Sequence, residues 1–232
     1  MIGLGDQEKR AVVLYSGGLD STTVLHMAMD EGYDSYPISF DYKQRHAVEL
    51  TFAKKSLEKL GLLGRWKVFK LDFSKVKSSA LTDSSIEIPK GRHPDEMGDA
   101  IPVSYVPLRN TIFLSYAAAY AESLGINHVF IGVNCLDYSG YPDCRPEFLE
   151  SMEKALSLGS RHADNPGSSF HLHAPLLHLT KSEIIKKGRE LGVNYDLTWS
   201  CYDPVVEDGM VKPCGACDSC VLRHEAFDAL DA

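Results

Sequence analysis

Ser16-Gly17-Gly18-Leu19-Asp20-Ser21 decides the fold, because of what stands on either side of it. Residues 11–15 (AVVLY) form a short apolar run that reads as a buried strand, and residues 21–29 place Val24, Leu25 and Ala28 at helical spacing. Strand, tight turn and helix in that order make a receptor for anions. Two glycines clear Cβ atoms from the approach, the hydroxyls of Ser16 and Ser21 add donors, and the helix N-terminus contributes partial positive charge. No Gly-Lys-Ser/Thr follows, so the lysine that grips the β- and γ-phosphates in Walker-type enzymes is missing and simple γ-phosphoryl transfer is disfavoured. A bare Gly-Gly would read as an ordinary capped turn; six positions with both flanks favour a nucleotide.

Working outward, Tyr36, Ile38 and Phe40 alternate as a second strand despite Pro37, residues 48–60 follow as a helix, and residues 66–71 as a third strand. Residues 72–104 are rich in Ser, Pro, Gly and charge and read as a loop-rich insertion or lid. A helix over 109–124, a strand over 129–133, a helix over 147–158 after Pro146 and a strand over 170–176 continue the alternation. Thr180 and Glu183 have capping-box spacing and start a helix through Leu191; a last helix covers about 219–230. The pattern predicts an α/β fold with a parallel sheet, a main domain over 1–195, and a cysteine-bearing segment over 196–232 packed on it.

The 232 residues, 44% hydrophobic and 24% charged, suit one globular domain with a small appendage. Residues 1–10 carry no apolar export signal and no later run is long enough to cross a bilayer, so a cytoplasmic protein without membrane contact is expected. The formal charge of −8 argues against stable binding to phosphate backbones, leaving a small-molecule substrate.

Cys201, Cys214, Cys217 and Cys220 follow C-x12-C-x2-C-x2-C, a spacing that suits a tetrahedral structural zinc with all four positions filled. The close spacing of the last three also matches part of an iron–sulfur ligand run, which stays open at this point. Between a strand and a helix, residues 134–145 (NCLDYSGYPDCR) form a polar, aromatic loop at the carboxyl end of the sheet, where substrates bind. Its tyrosines can stack on a heterocycle, its carboxylates can accept from ring N–H groups, and Arg145 can pair with a carboxylate. Cys144 within it has no identifiable base and reads as packing.

SGGLDS after a strand resembles the PP-loop of ATP pyrophosphatases, which implies a Rossmann-like, adenine nucleotide alpha hydrolase-like sheet with helices on both faces. It also implies attachment of AMP to an oxygen, with adenine near residues 40–42. More specifically, SGGLDSTT, FDYKQRH (residues 40–46), VPLRN (106–110), DYSGYPDCRPEF (137–148), Lys181 in LTKSE and the final CGACDSC resemble the 7-cyano-7-deazaguanine synthases, the QueC-type ligases of the queuosine pathway. The resemblance spans nearly the whole chain. It implies conversion of 7-carboxy-7-deazaguanine and ammonia to the nitrile with ATP, Mg2+ and one structural Zn2+, in a homodimer. By the same resemblance the nucleotide belongs to Tyr15, Ser16, Gly17, Gly18, Leu19, Asp20, Ser21, Thr22, Thr23, Val24, Leu25 and Arg45, with His46 beside the nucleotide or ammonia site. Asp20, Arg109 and Lys181 would be catalytic. Asp137, Tyr138, Ser139, Gly140, Tyr141, Asp143 and Arg145 would hold the deazapurine. Two positions depart from the family pattern: Leu108 stands where glycine is usual, and Leu19 where glutamine is frequent. A tRNA-thiolating PP-loop transferase, or a zinc module on a degenerate nucleotide fold, are the rival readings; the charge and the intact loop respectively disfavour them.

Overall fold

The structure is a computed structural model that describes residues 9–73, 75–97, 100–135, 140–165 and 168–231. In chain order its main elements are β1 (Arg10–Leu14), α1 (Leu19–Asp30), β2 (Asp34–Asp41), α2 (Glu49–Lys59), β3 (Lys67–Lys70), α3 (Arg109–Ser123), β4 (His128–Phe130), α4 (Pro146–Leu158), β5 (His171–His173) and α5 (Lys181–Glu190). A hairpin of β6 (Val205–Glu207) and β7 (Met210–Lys212) and a last helix, α6 (Asp218–Asp231), complete it. The predicted alternation of strands and helices is present.

Five strands pair in parallel in the order β3-β2-β1-β4-β5. The chain moves outward from β1 through β2 to β3, then returns past β1 to β4 and β5. The direction reverses between β1 and β4, and the crevice at their carboxyl ends is where such sheets hold ligands. The SGGLDS turn leaves β1 at that point.

Strand periodicity divides the core. Val12 and Leu14 of β1 join Leu114, Ala117 and Ala121 of α3 and Leu149 and Met152 of α4 in one cluster. Ala11, Val13 and Tyr15 join Val24 and Leu25 of α1, Leu57 of α2 and Ile184 and Ile185 of α5 in the other. A central strand buried on both faces has to be apolar throughout, which is why residues 11–15 carry no polar alternation. Leu25 is fully buried, and Leu25→Ala would cost about 2–5 kcal/mol through lost transfer energy and the cavity left behind.

The capping box forms: Thr180 Oγ1 accepts from Glu183 N at 3.3 Å, and Thr180 N donates to Glu183 Oε2 at 2.8 Å. β4 and β5 are shorter than the predicted runs 129–133 and 170–176. Beyond Phe130 the backbone passes close to α1, where a Cβ on Gly132 would sit 3.2 Å from Ser21 N. The β6–β7 hairpin is an element the spacing analysis did not anticipate. Its turn, Asp208-Gly209, has both residues at positive φ, 52° and 74°, the two-residue geometry that matches strand twist.

Over 72–104 the described residues contain no long helix and no extended strand. The segment is nonetheless pinned: Lys90 bridges to Cys217, Gly91 N donates to Ala216 O at 2.8 Å, and Arg92 pairs with Asp218 at the start of α6. The cysteine segment is equally embedded, since Trp199, Cys201, Cys217 and Cys220 belong to the same core cluster as α3 and α4.

Candidate active site

A cavity of about 290 Å³ opens at the carboxyl ends of β1, β2 and β4. Its floor is the turn between β1 and α1. Gly17 adopts φ +88°, and a Cβ there would meet Ala53 N and Glu49 O of α2 at 2.7 Å each, so only glycine lets the loop lie against that helix. Ser16 N donates to Ser21 Oγ at 3.2 Å, Gly18 N donates to Ser16 Oγ at 3.1 Å, and the two hydroxyl oxygens are 3.1 Å apart. Gly18, just before α1, offers no side-chain cap, which leaves the helix's first turn to an incoming anion.

Two helix starts meet beside this floor. Lys181, the first residue of α5, places Nζ 2.9 and 3.0 Å from the two carboxylate oxygens of Asp20 in the first turn of α1. Opposite, Arg109 opens α3 and donates from Nη1 to Tyr42 Oη at 3.4 Å. Burial works against its charge, but the surrounding phenols of Tyr42, Tyr141 and Tyr202 outweigh that and hold the guanidinium protonated. An aromatic wall completes the chamber: Phe40 and Phe113 stack with centroids 4.1 Å apart, and Tyr42 lies beside Phe113. Flat rings of this kind accept a nucleobase or a deazapurine.

The cavity therefore brings together Tyr15, Ser16, Gly18, Leu19, Asp20, Ser21, Arg109, Tyr141 and Lys181 of the residues singled out in the sequence. Gly17 supports the loop from behind. Thr22, Thr23, Val24 and Leu25 are buried in α1 under the loop; Thr23 Oγ1 is 2.8 Å from Tyr195 Oη, and Val24 and Leu25 are core. Arg45 stands apart from the cavity, reaching Asp203 at 3.4 Å and the carbonyls of Asp83 and Ile86. Asp137, Tyr138 and Ser139 lie outside the described residues.

Within the rest of that loop, Asp143 caps α3, its Oδ2 accepting from Asn110 N at 2.9 Å. Arg145 is exposed at the start of α4. Tyr141 lines the chamber and shares a 2.7 Å hydrogen bond with Ser104 of the insertion. Gly140 touches the insertion too: a Cβ there would lie 2.6 Å from Ala100 O. Cys144 also lines the wall, but burial pushes its thiol up to about 12, so it stays protonated and inert, as its reading as packing expects. Leu108 has φ +53° and is 59% exposed, so its side chain points away from the chamber and does not narrow it.

Several lining residues escaped the sequence reading: Glu49 at the start of α2, Phe113 of α3, and Trp199, Tyr202 and Arg223 from the C-terminal segment. His46, expected beside the nucleotide or ammonia site, lines the cavity as well. Burial is the main cause that drives its imidazole down to about 3, and the same effect raises Glu49 to about 7. The C-terminal residues arrive because the cysteine segment is stitched to the loop: Trp199 N donates to Gly17 O at 2.9 Å, and Arg223 bonds Thr198, Ser200 and the Tyr195 carbonyl.

The four predicted metal ligands converge. The sulfurs of Cys201, Cys214, Cys217 and Cys220 all lie within 4.8 Å of one another. A tetrahedral ion with Zn–S bonds of about 2.3 Å would need sulfurs about 3.8 Å apart, so the set fits such an ion with little rearrangement. Backbone N–H groups of Cys214, Cys217 and Tyr202 point at these sulfurs at 3.2–3.5 Å, an arrangement that favours thiolates.

A family model described as "Queuosine biosynthesis protein QueC" matches residues 10–231. Proteins named 7-cyano-7-deazaguanine synthase are close relatives. That of Syntrophotalea carbinolica is 54% identical over 219 residues, covering 94% of this chain and 92% of that protein. That of Pseudomonas savastanoi pv. phaseolicola is 52% identical over 229 residues, 99% of this chain and 96% of its own. That of Rhodopirellula baltica is 50% identical over 218 residues, 94% and 87% respectively.

Proposed function

The chain belongs to the QueC family of queuosine biosynthesis proteins, and from that premise we propose that it is an ATP-dependent ligase converting 7-carboxy-7-deazaguanine and ammonia to 7-cyano-7-deazaguanine. The observation that carries the reading is the convergence of the SGGLDS loop, Arg109 and Lys181 on one aromatic-walled cavity.

Substrate carboxylate attacks the α-phosphorus of ATP and pyrophosphate departs. The loop from Ser16 to Ser21 holds the departing phosphates through backbone N–H groups, hydroxyls and the end of α1. Negative charge growing around the α-phosphorus is met by Arg109 and Lys181, fixed cations that need no reorganisation at the moment of reaction. Adenylation turns a carboxylate oxygen into a leaving group; ammonia displaces AMP to give an amide, and a second adenylation, on the amide oxygen, permits elimination to the nitrile. Magnesium on the triphosphate would neutralise phosphate charge, with Asp20 as the carboxylate placed to hold it. Tyr141 would stack on the acceptor, Asp137, Tyr138, Ser139, Gly140, Asp143 and Arg145 are proposed to hold it with Tyr141, and Arg45 would act on the nucleotide only indirectly, by anchoring the insertion.

Cys201, Cys214, Cys217 and Cys220 would hold one structural zinc, a filled shell that fastens the C-terminal segment and takes no part in the reaction. Residues 1–195 would then be the ligase domain and 196–232 its metal-bearing segment. A cytoplasmic setting is proposed on six cysteines that form no disulfide, and among the described residues no helix is long and apolar enough to cross a membrane. The working form is proposed to be a homodimer that binds no nucleic acid, which sedimentation and a tRNA gel shift would check.

The test is direct. Purified, metal-loaded protein given the acid, ammonium, ATP and magnesium should release AMP and pyrophosphate and yield the nitrile by mass spectrometry. Untouched acid, or ADP as the nucleotide product, would overturn the assignment.

A further inference from the structure

One carboxylate in the cavity has no task in that scheme. Glu49 is buried in the first turn of α2, and Gln44 Nε2 donates to its Oε1 at 3.1 Å. Gln44 is itself fixed, since its Nε2 also reaches Phe40 O at 3.1 Å and its Oε1 accepts from Tyr42 N at 2.9 Å. His46 Nε2 lies 3.6 Å from the same carboxylate oxygen. His46 is 6% exposed, and its Nδ1 has no hydrogen-bond partner among the described residues. Both residues line the cavity, and the backbone of Glu49 packs directly against Gly17 of the phosphate loop.

A buried polar atom without a partner costs free energy and calls for a ligand. Acceptors dominate this corner: a carboxylate, held by a single amide donor, and a spare imidazole nitrogen. A small species made only of donors fits it, and ammonium is such a species. We propose that Glu49, flanked by Gln44 and His46, receives the ammonium ion and removes its proton, so that ammonia is released beside the activated carboxyl group. This rests on the ligase reading above.

The charges facing Glu49 suit the step. Arg109 reaches it from α3, Tyr42 from the end of β2 and His46 from its own turn. Burial raises Glu49 to about 7, against the opposing pull of Gln44 and Arg109, which leaves a carboxylate able to carry a proton near neutrality. The positive charge of Arg109 also disfavours a second cation, which helps ammonium give its proton up. In the step, one N–H bond of ammonium breaks and the proton goes to Glu49. The freed lone pair then attacks the acyl carbon, and the bond from that carbon to the AMP oxygen breaks with its electron pair leaving on AMP. The nitrogen sheds a second proton to solvent, giving the neutral amide.

The amide intermediate separates this proposal from the reading beneath it, because conversion of amide to nitrile uses ATP and the whole cavity but no ammonia. Wild type, Glu49→Gln and Glu49→Asp are each supplied with either the acid plus ammonium or the amide alone, with thermal melting and ATP binding as fold controls. Glu49→Gln should slow the acid reaction about 100-fold and raise the ammonium KM about tenfold, while amide turnover stays within about twofold of wild type. Glu49→Asp should recover part of the loss. In Glu49→Gln the acid reaction should keep accelerating with pH until ammonium deprotonates in solution, whereas wild type should level off earlier. A variant slowed equally on both substrates would place Glu49 in the ATP step or the fold and overturn the proposal; so would one unimpaired on the acid. Wild type inert toward both substrates would overturn the ligase reading itself.

Discussion

Lys181 Nζ lies 2.9 Å from one carboxylate oxygen of Asp20 and 3.0 Å from the other, so the first turns of α1 and α5 are tied together at the edge of the phosphate loop. The two residues are 161 positions apart, and neither is fully buried: the Asp20 side chain is 32% exposed and that of Lys181 17%. Partly exposed pairs add little to stability, about 1 kcal/mol or less. Asp20→Ala should therefore abolish turnover while leaving the melting temperature nearly unchanged. Lys181→Met should lower kcat/KM by about 100-fold or more, the usual loss when one fixed charge is withdrawn from a transition state. Steady-state kinetics beside calorimetric melting checks both, and wild-type rates in either variant would remove that residue from the site.

Leu108 holds a left-handed conformation that a branched side chain adopts at a cost of about 1–2 kcal/mol. Its side chain is exposed and makes no part of the cavity wall. Replacing it with glycine removes the strain but adds freedom to the unfolded chain, so Leu108→Gly should stabilise by about 0.5–1 kcal/mol. That corresponds to a rise in Tm of about 1–4 °C, with acceptor preference unaltered. A changed preference between the deazaguanine acid and its analogues would show that the position governs specificity.

Removing the metal ligands should be felt in the nucleotide site. Cys217→Ser, or treatment with a strong chelator, should release about one zinc per chain and weaken ATP binding in titration calorimetry, because Trp199 carries the backbone link from the cysteine segment to Gly17. Elemental analysis finding iron and sulfide would replace zinc with a cluster. Unchanged ATP affinity after metal loss would break the link between the two sites.

At the far end of β4 and β5, His128 Nδ1 is 2.9 Å from His173 Nε2, and His171 stacks on His128 with centroids 4.9 Å apart. Burial, then the neighbouring His173, His171 and Lys9, lowers His128 to about 4. The folded chain thus keeps this ring neutral where the unfolded chain has already taken up a proton. Stability from the cluster is complete above about pH 6.5 and is lost as pH falls toward about 4. Because the ring is partly exposed, the loss should be on the order of 1 kcal/mol after solvent screening. Urea titrations across that range should show a shallower acid slope for His128→Asn than for wild type; equal slopes would remove His128 as the cause.

Most of the frame was legible because it rests on local signals. The SGGLDS turn between an apolar strand and an amphipathic helix, the Thr180–Glu183 box and the cysteine spacing each act within a few residues, and each appears where its chemistry requires. What was not legible depends on distant approach. Glu49 reads as an ordinary acidic residue at a helix start until Gly17, Gln44 and Arg109 close around it. Trp199, Tyr202 and Arg223 reach the cavity only because the C-terminal segment folds back over the loop. Asp143 was expected to hold the substrate; its carboxylate accepts from Asn110 N at the start of α3, a pairing between distant segments that no spacing rule joins. The β6–β7 hairpin was readable from Asp208-Gly209 and was passed over because the flanking strands are only three residues long.

Ser16, Gly18 and Ser21 bond one another, and Gly17 is clamped against α2 at a separation no side chain would tolerate. A loop stiffened by its own contacts surrenders little configurational entropy on capturing a guest. Its selectivity is then decided by whether phosphate oxygens can replace these internal hydroxyl contacts. Nucleotides with a shortened or methylene-bridged chain should therefore be distinguished by the enthalpy of that exchange rather than by any movement of the loop.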